Sequence, residues 1–151
     1  MANAKVLEGL QTIVTDLAQQ ADGHELQARV FAAKGLTKLA EKYSDHASEE
    51  RGYVTKCADR LLDLGCEVKN GAKKEAPIFK DAIEFIKYDL QVSKDGLAWL
   101  AGIVEAAKDD LTTFGILSDY YKDEETDMYE AEQLLEKCEL IGKENWYASL
   151  F

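Results

Sequence analysis

The chain has 151 residues, 46% of them apolar, which is enough to bury one core and too few for two comfortable ones, so a single domain over residues 1–151 is expected. Eighteen Lys and Arg against 29 Asp and Glu leave a formal charge of −11, which argues against nucleic acid as a partner, because phosphates need clustered cations. No apolar run approaches the roughly 20 residues of a membrane span, and none follows the lysine of MANAKVLEGL, so neither a membrane nor a secretory leader is expected.

The three cysteines, Cys57, Cys66 and Cys138, are scattered and lack Cys-x-x-Cys spacing. That fits reduced thiols in the cytoplasm, with Cys57 a small core filler. One proline and an abundance of Ala, Leu, Glu and Lys point to an all-α fold.

In the first segment Leu7, Leu10, Val14, Leu17, Ala21, Ala28 and Phe31 recur at three- and four-residue steps. Asp22-Gly23 is a turn signal inside this stripe. The stripe nevertheless resumes in phase at His24 and Ala28, which predicts one long, locally weakened helix to about Lys34, ended by Gly35. The second stripe runs through Leu36, Ala40, Tyr43, Ala47, Glu50, Val54, Cys57, Leu61 and Leu64, with Glu50 its one charged member, and Gly65 closes it. Cys66–Pro77 carries no stripe and contains Asn70-Gly71, so it reads as a loop. Twelve extended residues reach roughly 40 Å, about the length of a 28-residue helix. The loop can therefore climb the whole bundle and let the third helix run parallel to the second.

Pro77 suits the entry to that third helix. Its stripe is Phe79, Ile83, Ile86, Leu90, Ser93, Leu97, Leu100, Val104 and Ala107, with Ser93 the polar intruder. After a break at Lys108–Asp110 the fourth helix runs to about Glu139, and the aromatic tail KENWYASLF suggests a short docking helix. On the fourth helix Phe114, Leu117, Tyr121, Met128, Ala131 and Leu135 form a stripe whose step also lands on Glu124, inside the acidic run KDEETDMYEAE.

Two long hairpins joined by a long crossover make a ferritin-like four-helix bundle. Leu17 and Glu50 lie roughly symmetrically about the turn at Gly35, and Ser93 and Glu124 about the break near Lys108, so all four are expected to face one another at mid-height. Two inward carboxylates need compensation, because an unpaired buried charge is very costly. A metal or a cationic side chain could supply it. So could a shared proton, with Tyr53 donating a hydrogen bond.

The chain resembles the bacterioferritin family over nearly its whole length. LQARVFAAKGLTKL is similar to that family's first hairpin, GYVTKCADRLLDLG to the later half of its second helix, YDLQVSKDGLAWL to its third, and KDEETDMYEAE to its metal-binding fourth. Members of that family store iron in a 24-subunit shell and oxidise Fe(II) at a di-iron centre. That centre uses one Glu from each of two helices and a Glu-x-x-His motif from each of the other two. Here the single-Glu positions are Leu17 and Ser93, and the motifs read Glu50-x-x-Tyr53 and Glu124-x-x-Asp127. The bridging acids are kept, while both other acids and both histidines are replaced. The family's haem-ligating methionine position is Arg51, so haem held in that way is not expected.

The resemblance thus implies an iron-storage or iron-binding subunit whose oxidation centre is depleted or absent and whose ferroxidase activity is weak or lacking. It would form a dimer, a shell, or a mixed shell with an active partner subunit. The alternative is a helical scaffold or interaction module without metal, and a third is a single-metal enzyme. Candidate metal ligands are Glu50, Glu124, Asp127, Tyr53 and His24. Each has a plainer reading. Asp127 could be a solvated helical acid, Tyr53 a core aromatic bonded to an acid, and His24 a satisfied or exposed histidine. Asp109-Asp110, Glu130 and Glu132 read most simply as a solvated face. Trp99, Trp146 and Tyr147 could pack subunit contacts, with Trp99 equally a core residue.

Overall fold

The computed structural model describes residues 3–151 as five helices: α1 (Ala4–Ala33), α2 (Thr37–Asp63), α3 (Ala82–Ala106), α4 (Leu111–Ile141) and α5 (Lys143–Ala148). There is no strand among the described residues, so the fold is the all-α, ferritin-like bundle expected. Asp22-Gly23 does not interrupt α1. The predicted stops at Gly35 and Gly65 hold, and Gly142 ends α4 in the same way: all three take positive φ, near 80°, where a Cβ would be strained.

Three helices begin on side-chain caps that satisfy otherwise orphaned amides. Asn3 accepts from the Val6 amide, Asp81 from Glu84 and Asp110 from Thr113. The third helix therefore starts at Ala82, capped by Asp81, and not at Pro77. Asp110 is likewise no solvated acid. It caps α4 and receives the Arg60 guanidinium at 2.8 and 3.0 Å, while Arg60 also donates to Thr113 at 2.8 Å. This ties the end of α2 to the start of α4.

The chain between α2 and α3 is held extended along α1 by three glutamines spaced eight residues apart on that helix. Gln11 bonds both the amide and carbonyl of Lys69 at 2.9 and 2.8 Å. Gln19 accepts from Lys74 at 3.1 Å, and Gln27 bonds both backbone groups of Phe79 at 2.9 and 2.8 Å. The backbone passes so close at Gly71 that a Cβ there would meet Thr15 Oγ1 at 2.7 Å. Because the crossover climbs from the start of α1 to its end, α3 sets out where α2 does, and the two run parallel. Asn3 bonding the Ala106 carbonyl at 3.0 Å fixes the far end of the same arrangement.

Two apolar clusters fill the bundle. One gathers Leu10, Ile13, Leu17, Cys57, Leu61, Leu100 and Leu117. The other gathers Phe31, Leu39, Tyr43, Phe85 and Ile86 and is closed by α5, whose fully buried Trp146 donates its indole N–H to the Leu134 carbonyl at 2.9 Å. Trp146 is thus a core residue, not a surface contact, whereas Trp99 remains 42% exposed. Between the clusters lie the buried polar side chains His24, His46, Glu50, Asp89, Ser93 and Glu124.

Candidate metal centre

Leu17, Glu50, Ser93 and Glu124 are all buried, at 3, 4, 6 and 7% exposure. The sequence expectation that these four positions turn inward therefore holds. What surrounds the two carboxylates differs from the expectation. Glu50 is not met by Tyr53. Its Oε1 lies 2.5 Å from His24 Nδ1, and its Oε2 accepts from Gln20 at 2.8 Å. The opposite ring nitrogen, His24 Nε2, lies 2.7 Å from Asp89 Oδ1. An imidazole with both nitrogens against carboxylate oxygens is satisfied when both carry protons. Burial alone would push His24 down, but the charges and hydrogen bonds of Asp89 and Glu50 outweigh it and hold the ring well above its ordinary 6.5. Burial pushes Glu50 up and His24 pulls it back. The geometry favours the imidazolium with its two carboxylates, a cation built into the fold.

Glu124 is placed differently. It accepts from Ser93 Oγ at 2.9 Å and, among the described residues, forms no ion pair. Burial, then the charge of Glu50, push its carboxyl up to about 7. Tyr53, one turn beyond Glu50, donates to Asp123 and stacks on Tyr120 with ring centres 5.1 Å apart. It joins neither Glu50 nor Glu124. Asp127 also leaves the centre for the groove between α2 and α4, where its Oδ1 lies 3.3 Å from His46 Nε2. Burial and the neighbouring acids, Glu49 first, push Asp127 up to about 8. Burial and the cations His24 and Lys42 push His46 down to about 4, which keeps it neutral at pH 7. Glu130 is no simple solvated acid, for it receives Lys42 Nζ at 2.5 Å.

The five candidates thus separate. His24 and Glu50 form one cluster with Asp89 and Gln20; Glu124 sits with Ser93; Asp127 belongs to the groove; Tyr53 points elsewhere. Asp89 and His46 are the residues the sequence reading missed. Each was accessible to the same periodicity, because Ile86–Asp89–Ser93 and Tyr43–His46–Glu50 also step by three and four. A helix in a bundle buries a face wider than a single row, and reading only the apolar row hid them.

Residues 7–141 match the ferritin family's ferritin-like domain. The chain belongs to that family. Proteins named bacterial ferritin are similar to it over 97% of each chain: those of Neisseria meningitidis serogroup B and Neisseria gonorrhoeae are 28% identical over 150 residues. In this ferritin-like chain the four long helices, with the long crossover between the second and third, fit a ferritin-like four-helix bundle. Arg51 pairs with Asp22 at 2.7 Å on the α1–α2 surface.

Proposed function

We propose that the protein is an iron-storage subunit of bacterioferritin type whose internal oxidation centre is depleted. It would contribute wall and cavity to a homo-oligomer, or to a shell mixed with an active subunit, rather than fast Fe(II) oxidation. The observation that carries this reading is the His24 imidazole between Glu50 and Asp89, at 2.5 and 2.7 Å. A di-iron site needs about four carboxylates and two nitrogens to balance charge and fill both coordination spheres. Here Leu17 offers no donor, Ser93 offers a hydroxyl already given to Glu124, and Glu50 is engaged by a histidine and a glutamine. These residues do not fit a family-type di-iron centre. Nor does Arg51 fit an axial haem ligand, since a guanidinium has no lone pair to give.

Aerobic loading with Fe(II), followed by size exclusion and iron analysis, tests the reading. The chain alone should assemble yet oxidise iron at close to the blank rate, and co-assembly with a ferroxidase-active subunit should give a mineral core. Rapid oxidation by the chain alone, abolished by Glu50→Ala, would overturn the depleted centre. A monomer that takes up no iron in either setting would overturn storage altogether. The same imidazole favours a second reading, a metal-free helical scaffold, because the built-in cation lets the bundle close without metal. Elemental analysis of the isolated protein separates the two, since bound iron, manganese or zinc contradicts the scaffold.

A further inference from the structure

A cavity of about 160 Å³ lies between α1, α3 and the crossover. That volume is close to the roughly 150 Å³ that admits a benzene ring. Its roof is Ala76 and Pro77 of the crossover, and its walls include Phe85 and Tyr88 of α3. The sequence of α1 makes the room. Asp16, Gln20, Gly23 and Gln27 step by four, three and four, and so share the helix face turned to the crossover, which Gln27 holds at Phe79. A glycine inside a helix is destabilising relative to alanine. No neighbour requires this one, because a Cβ built on Gly23 would meet no atom within 4 Å. What the glycine leaves is space.

The free polar groups around that space are acceptors. Asp89 is 9% exposed and gives Oδ1 to His24, while its Oδ2 takes no hydrogen bond among the described residues. No side-chain oxygen or nitrogen among those residues is both fully enclosed and unpartnered, so Oδ2 borders open space, and Asp89 lines the cavity. Gln20 gives its Nε2 to Glu50, and its Oε1 accepts no hydrogen bond among the described residues. Asp16, an exposed acid, completes the lining on that side. No lysine or arginine lines the cavity, and His24 on its wall has both ring nitrogens against carboxylates. The ring therefore has no lone pair for a metal. Carboxylate and amide oxygens beside an aromatic wall are instead the combination that holds an organic ammonium.

We propose that this cavity binds a small organic ammonium, a primary amine whose apolar body is no larger than a benzene ring. The ammonium is held by Asp89 Oδ2, Gln20 Oε1 and Asp16, and the body lies against Phe85, Tyr88 and Pro77. One positive charge suits the wall. His24 answers one of the two carboxylates it touches, so with Asp16 a surplus of negative charge remains. The net charge of −11 favours the approach of cations in general. Entry is through the roof: Lys74 and Phe79 are pinned to Gln19 and Gln27, but residues 75–78 between them make no backbone hydrogen bond among the described residues. The site stands whether or not the protein stores iron.

The full chain is titrated at pH 7 with benzylammonium under calorimetry, with benzyl alcohol and benzoate as neutral and anionic controls of similar shape. A crystal grown with benzylammonium locates the ligand. One equivalent is expected beneath Ala76 and Pro77, bound at least about tenfold tighter than benzyl alcohol, with no binding of benzoate. Gly23→Leu is the sharpest arm. It fills the space under the crossover and should weaken the amine by at least about tenfold, while the urea midpoint stays level or rises because leucine is the better helix former. Asp16→Asn alters an exposed side chain and should weaken the amine about threefold, which keeps the test open should Gly23→Leu misfold. No binding at millimolar benzylammonium, equal binding of the alcohol, full affinity in both variants, or an amine seated elsewhere in the crystal would each overturn the site.

Discussion

Two clusters of acids with a histidine lie within a turn or two of each other, and they resolve the same electrostatic problem in opposite ways. Around Glu50 the compensating cation is covalently part of the chain: His24 lies between two carboxylates, and Gln20 fills another acceptor position. In the α2–α4 groove the acids outnumber the cations, the histidine is kept neutral, and burial and the neighbouring acids drive Asp127 up to about 8. The first cluster is complete as it stands. The second settles its acids partly by holding Asp127 protonated and partly by the Lys42 ammonium on Glu130.

The sharpest way to break this comparison is to delete the built-in cation. His24→Leu leaves Glu50 and Asp89 buried and facing each other without compensation, and should cost about 3–5 kcal/mol in urea unfolding at pH 7. Adding Glu50→Gln and Asp89→Asn should return most of that loss, because an uncharged set needs no cation. A single variant within about 1 kcal/mol of the parent would show that His24 carries no charge, and the contrast with the groove would vanish.

The pH dependence of stability comes next. An acid whose folded value lies above its unfolded one binds more protons when folded. The stability it contributes is complete below the unfolded value of 4.5 and is lost as pH rises through the folded value, about 7 for Glu124. Asp127 acts in the same direction up to about 8. His24, a base held above 6.5, also contributes stability that is full below that value and lost only as pH climbs through its folded value. The metal-free protein should therefore lose stability from about pH 5 to pH 8, with up to about 3 kcal/mol of that from buried Glu124. Glu124→Gln should flatten this slope. A urea midpoint that rises over the same interval would contradict the placement of all three groups.

The contrast also explains what could be read from sequence. Periodicity along each helix is a one-dimensional signal, and it placed α1, α2 and α4 well, together with the inward turn of Glu50 and Glu124, because those residues interrupt otherwise apolar rows. The start of α3 was misplaced because Pro77 is a strong local signal, whereas the cap at Asp81 depends on Gln27 holding Phe79 extended from another helix. Partners were harder still. That Glu50 meets His24 rather than Tyr53 depends on which helices adjoin across the bundle and on side-chain direction, and a spacing argument has access to neither. Asp127 lies three residues from Glu124 yet faces a different neighbour, since the residues of one helical face fan over a wide angle.

The smallest effect concerns the hydrogen bond that Glu124 receives from Ser93. Ser93→Ala removes the hydroxyl that donates to Glu124 Oε1 at 2.9 Å. That bond favours the charged carboxylate, so its loss should push the Glu124 carboxyl further up and cost about 1 kcal/mol at pH 8, where the ionised form must be carried. Near pH 5 the carboxyl is already protonated in the folded state and the cost should shrink, because a neutral acid in a buried site loses less with a departing donor. Carbon-13 titration of the Glu124 carboxyl and paired unfolding curves at the two pH values measure both halves. An equal loss at pH 5 and pH 8 would mean that the serine acts through packing alone and that Glu124 is solvated or paired by some other group.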